Sequence, residues 1–117
     1  MALFEVDKHE QYLPKTEDQE IVCSVIIGNG QSGSYTICLD DELKSADRPA
    51  TLGKKADVQS KTTFVSAHVT DVLTETNWTS VTVRMREGEH ETVYGPYSFE
   101  VPQQNDEVDY AIDFRHS

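Results

Sequence analysis

Apolar and polar residues alternate with a period of two through three successive stretches between residues 61 and 101. Val65, Ala67 and Val69 alternate with Ser66, His68 and Thr70. Val81, Val83 and Met85 alternate with Thr82 and Arg84, and Tyr97, Phe99 and Val101 with Ser98 and Glu100. Only a pleated strand sends alternate side chains to opposite faces, so the pattern predicts a half-buried antiparallel meander. The same reading predicts seven strands in all, over residues 3–6, 20–27, 34–40, 62–74, 78–86, 92–101 and 108–115. Each is rich in β-branched or aromatic residues and bounded by turn formers. Gly28-Asn29-Gly30 opens a loop that runs through Gly33. Between residues 41 and 60, Pro49, Gly53 and scattered charges predict a long crossover. It has room for a short strand near Thr51-Leu52 or a helical turn over residues 40–44. No window carries the apolar stripe of a substantial amphipathic helix.

Seven short strands and one long crossover in 117 residues predict a single all-β domain over residues 1–117. The expected form is an antiparallel two-sheet β-sandwich of immunoglobulin-like or Greek-key architecture. The chain is long enough to bury a core without disulfide staples. Cys23 and Cys38 stand too close together to bracket a core tryptophan as in true immunoglobulin domains. The likeness is architectural, and such sandwiches host many functions.

Charge narrows the partners. With 21 acidic and 10 basic side chains the formal net charge is −11, which repels phosphate backbones and anionic lipid surfaces. Nucleic-acid binding and membrane insertion are therefore not expected, and no stretch approaches membrane-spanning length. The charge is uneven: residues 44–61 carry +3 and the remainder −14. Such polarity would suit self-association or a charged protein partner.

If Cys23 shares the inward face with Ile21 and Val25 while Cys38 points outward beside Thr36 and Asp40, the two cannot form a cross-strand disulfide. Two free thiols fit a reducing compartment. The N-terminal residues lack the basic start and apolar core of a signal peptide. The sequence is thus read as cytoplasmic, although an exported protein whose leader has been removed would read the same.

Motifs for chemistry are lacking. His9, His68, His90 and His116 show no i, i+2 or i, i+4 pairing, so no metal site is predicted from them. Glu17-Asp18, Asp40-Asp41-Glu42 and Asp106-Glu107 with Asp109 form acidic loops that could converge on calcium, but none has the order of a self-contained calcium loop. No G-x-S-x-G or comparable run supports a catalytic triad, and no enzyme activity or cofactor is predicted. Asn77-Trp78-Thr79 matches a glycosylation sequon, with Asn77 read as serving a turn. The polar face of the predicted meander is the best candidate for binding. It brings His68, Arg84, Arg86 and Tyr94 to one surface, with Trp78 in the outward register, and tryptophan and arginine are enriched at binding hot spots. The function expected from these residues is a non-catalytic binding or structural module, with protein–protein interaction first. A carbohydrate- or calcium-binding sandwich is the alternative, and an acidic inhibitor mimicking nucleic acid the third. Nothing in the pattern points to a small-molecule ligand.

Overall fold

The computed structural model describes residues 2–29 and 31–116, and nearly all of its regular structure is β. Among the described residues nine strands follow one another as β1 (Leu3–Gln11), β2 (Ile21–Ile27), β3 (Ser32–Leu39), β4 (Glu42–Ala46), β5 (Ala50–Gly53), β6 (Thr62–Thr70), β7 (Trp78–Glu87), β8 (His90–Glu100) and β9 (Glu107–Arg115). A single helical turn, α1 (Lys55–Val58), separates β5 from β6. All seven predicted strands are present. The two additional ones, β4 and β5, lie in the stretch predicted as a crossover, and β5 covers Thr51-Leu52. The helical turn forms after β5 rather than over residues 40–44. There Asp40, with φ of 49°, turns β3 into β4 instead.

The strands form two packed sheets, of order β1-β9-β6-β3-β4 and β5-β2-β7-β8. All neighbours are antiparallel except β1 and β9, which run parallel from Leu3↔Glu107 to Gln11↔Arg115. Consecutive strands pair as hairpins only at β3–β4 and β7–β8; every other connection passes from one sheet to the other. The predicted meander is thereby corrected: β6 belongs to the five-stranded sheet, whereas β7 and β8 belong to the four-stranded one. Alternation shows which face of a strand is buried, and that face is buried equally well whichever sheet the strand joins. The polar residues of β6 and β7 therefore lie on opposite sides of the molecule.

The core is the facing inner surfaces. Ile21, Cys23, Val25, Val81, Val83 and Met85 come from the four-stranded sheet; Ile37, Leu39, Val65, Ala67, Val69, Val108, Tyr110, Ile112 and Phe114 come from the five-stranded sheet. Leu52 of β5 and Val58 of α1 close one side. Gly53 makes the turn between them possible. Its φ is +120°, and a Cβ there would come within 2.8 Å of Asp57 Cβ, while Asp57 Oδ2 accepts the Lys54 amide at 2.9 Å. Edge strands β1 and β8 close the other side. Phe4 packs on Phe99 with ring centroids 5.2 Å apart, and Tyr97 donates its hydroxyl hydrogen to Glu10.

The segment after β1 is latched across to the four-stranded sheet by Glu87, a fully buried carboxylate at the end of β7. Glu87 accepts the Tyr12 hydroxyl, the Lys15 and Thr16 amides at 3.0 Å and the Thr16 hydroxyl at 3.2 Å. Burial alone would raise its pKa; these donors outweigh that and hold it below the usual carboxylate range.

Candidate functional site

The solvated face of the four-stranded sheet carries Arg84. The Val81, Val83 and Met85 side chains point inward, so Thr82, Arg84 and Arg86 point outward. Arg84 lies in register between Ser24 of β2 and Val93 of β8. Ile26, two residues from Ser24 on the same face, is 41% exposed and Val93 is 50% exposed. Among the described residues no carboxylate pairs with Arg84 within 4.0 Å, and Arg86 donates Nε–H to the Gly88 carbonyl at 3.0 Å. The result is a cation on an interior strand, flanked by exposed aliphatic side chains. The alternation identifies the arginines; it misses Ile26 and Val93, because only the strand order β2-β7-β8 puts them at either side of β7.

Trp78 shares this outward face and is 46% exposed. It does not neighbour Arg84, however: the two stand six positions apart along the strand, about 20 Å. Tyr94 is not on this face. Val83 pairs with Tyr94 but Val81 pairs with Tyr97, so β8 holds one extra residue and bulges at Gly95-Pro96. The bulge inverts the side-chain register, turning Tyr94 inward onto Phe114 at a centroid distance of 4.8 Å. Its hydroxyl donates to the Gln11 carbonyl at 2.9 Å, and burial pushes its pKa up to about 12. An uninterrupted pleat would have pointed it outward, which is why the sequence pattern misplaces it.

His68 lies on the far side of the molecule, on the outer face of the five-stranded sheet. Its Nδ1 lies 2.5 Å from Asp109 Oδ1 and its Nε2 lies 2.7 Å from Glu107 Oε1. The Asp109 bond, then the Glu107 bond, raise its pKa, with burial acting against them. Glu5 of β1 stands in register beside Asp109, and Asp7 and Asp113 share the face, with His9 Nδ1 2.7 Å from Asp113. Next to His68 is an open depression of about 410 Å³ lined partly by Ser34, Thr36, Ser66 and Asp47. Both ring nitrogens of His68 are occupied by carboxylates, so neither is left to activate a hydroxyl nucleophile.

The histidines do not assemble. His9 and His68 are on one sheet face, and His116 is fully buried with Nε2 2.6 Å from Thr63 Oγ1. Among the described residues, no group of three or more His, Cys, Asp or Glu side chains is placed to hold a metal ion. The cysteines are free, Cys23 buried in the four-stranded sheet and Cys38 half-buried in the five-stranded one. They are kept apart by lying in different sheets, a stronger separation than the opposed faces expected from the sequence. Burial pushes the Cys23 thiol up to about 12. Within the basic stretch, Lys44 pairs with Glu42 at 2.8 Å and Lys55 approaches Glu17 at 3.9 Å. No helix among the described residues is long and apolar enough to cross a membrane.

Comparison with protein-family models, with curated protein sequences and with solved structures finds no match.

Proposed function

We propose that this chain is a non-catalytic binding module, on a Greek-key sandwich scaffold, that engages another protein through the outer face of its four-stranded sheet. The scaffold reading is supported by the many connections between sheets. The binding reading is carried by one observation: Arg84 stands without an ion pair among the described residues, between exposed Ile26 and Val93. A partner presenting a carboxylate within an apolar surface would desolvate the guanidinium and pair it at once, the arrangement that makes arginine a frequent hot spot. Localisation inside or outside the cell leaves this reading unchanged.

Arg84→Glu tests it. The substitution should change unfolding free energy by less than about 0.5 kcal/mol, as exposed positions usually do. It should also weaken the purified partner's affinity by about tenfold or more, because charge reversal at an interface costs attraction and complementarity together. The partner is identified by crosslinking in cells, and affinities are measured by calorimetry for the wild type, Arg84→Glu and Ile26→Asp. Undiminished affinity in both variants would move the interface off this sheet.

A further inference from the structure

One end of the sandwich is built from the loops that follow β2, follow β6 and precede β9, and it holds two buried carboxylates. Asp71 follows β6 and Asp106 precedes β9; they are 0% and 3% exposed. The Asp71 amide donates to the Asp106 carbonyl at 3.0 Å, extending the ladder one step beyond Thr70↔Glu107. The two residues thus face each other across adjacent strands, turned inward like Val69 and Val108. Asp106 is braced by backbone amides: Oδ1 accepts from Ala2 at 2.8 Å and Oδ2 from Gln103 at 3.0 Å. Asp71 Oδ1 accepts Gln31 Nε2–H at 2.8 Å, and the same amide group reaches the Trp78 carbonyl at 3.1 Å. Asp71 Oδ2 is buried and has no hydrogen-bond partner among the described residues.

This arrangement is unfavourable as it stands. A buried carboxylate oxygen without a donor, here Asp71 Oδ2, costs desolvation energy. No lysine, arginine or histidine occurs in residues 28–31, 71–77 or 101–106, which instead contribute Asn29, Gln31, Glu75, Asn77, Gln103, Gln104 and Asn105. The available ligands are therefore oxygens from carboxylates, amides and backbone carbonyls. Hard cations of large and flexible coordination number prefer that set, calcium above all, whereas zinc favours nitrogen and sulfur. Two carboxylates completed by neutral oxygens do not require the three-carboxylate or histidine cluster that is absent among the described residues. We propose that Asp71 and Asp106 hold a calcium ion at this end of the sandwich, with Asp71 Oδ2 as a direct ligand. The ion would tie β6, β9 and, through Gln31, the start of β7 into one unit, independently of the binding face around Arg84.

The experiment uses EDTA-stripped protein melted with and without calcium chloride. With two carboxylates the affinity should be in the weak range, about 0.1–1 mM. About 5 mM calcium should then raise the melting temperature by about 3–6 °C, saturably. Asp71→Asn keeps an oxygen for Gln31 and should lose the calcium response while still folding. Terbium provides a second readout that does not depend on the variant. Trp78 is the single tryptophan of the chain and borders the site, so exciting it should produce terbium luminescence that calcium quenches by displacement. A calcium-induced shift lost in Asp71→Asn supports the site; where the wild type shows no shift, tryptophan-sensitised terbium emission displaced by calcium supports it. Three outcomes overturn it. These are no shift together with no sensitised emission, a shift that Asp71→Asn retains, and an Asp71→Asn protein that is stabilised while the wild type ignores calcium. The last would place a proton, not a cation, on Asp71.

Discussion

His68 and His116 are chemically identical imidazoles, yet their surroundings push their pKa values in opposite directions. His68 is held above the usual value by Asp109 and then Glu107. Its stabilising contribution is complete below the unfolded value of about 6.5 and is lost as pH rises through the higher folded pKa. His116 is pushed below the usual value by burial, opposed in part by the Tyr12 backbone and Asp40. Stability at that residue is intact above about 6.5 and is lost as pH falls toward and through the lower folded pKa, because the unfolded chain takes a proton that the folded site resists. Glu87, with a lowered pKa, extends the acid loss to pH values below the usual carboxylate range. The unfolding midpoint in urea should therefore peak near pH 6.5, about the ordinary histidine value. His68→Gln should flatten the alkaline limb and spare the acid one. A midpoint unaffected by pH between about 5 and 8 would show that neither histidine is coupled to folding.

At the scale of the element, β8 is where pattern and structure part. The alternation of Tyr97, Phe99 and Val101 is correct, and so is the inward set on β7, but the bulge reverses the parity of everything before Gly95. Gly95 has φ of +96°, and a Cβ would meet the Val81 carbonyl at 2.9 Å and the Tyr97 amide at 2.7 Å. A left-handed conformation and close backbone contact both require glycine there. Gly95→Val should lower unfolding free energy by about 2 kcal/mol or more, combining backbone strain with the clash. Denaturant titration checks this, and an unchanged midpoint would mean that the bulge can be smoothed away. The β4 and β5 strands illustrate a different gap. Their short sequences lack a long alternation, and they become strands by lying against β3 and β2.

At the scale of the whole molecule, the assignment of strands to sheets decides chemistry as well as shape. Cys23 and Cys38 lie in opposite sheets, one buried and one half-exposed. A thiol reagent should therefore label Cys38 in the folded protein and Cys23 only after unfolding, since burial both blocks access and raises the Cys23 pKa. Two fast-reacting thiols in the native state would contradict the packing of the sheets. The same assignment separates the candidate residues: Arg84 and Arg86 on one face, His68 on the other, and Tyr94 partly buried against the core.

The period-two pattern by itself determined the β class, seven of the strands and the inward face of β2, β6 and β7, because burial of every second side chain is local information carried by each strand alone. Arg84 and Arg86 could be read as outward-facing for the same reason. Which strands become neighbours is a non-local matter, settled by how nine apolar faces share one core, and it left no trace in the alternation. Only the tertiary structure therefore set Ile26 and Val93 beside Arg84, gave His68 its two carboxylates and brought Asp71 opposite Asp106, residues separated in sequence by all of β7 and β8.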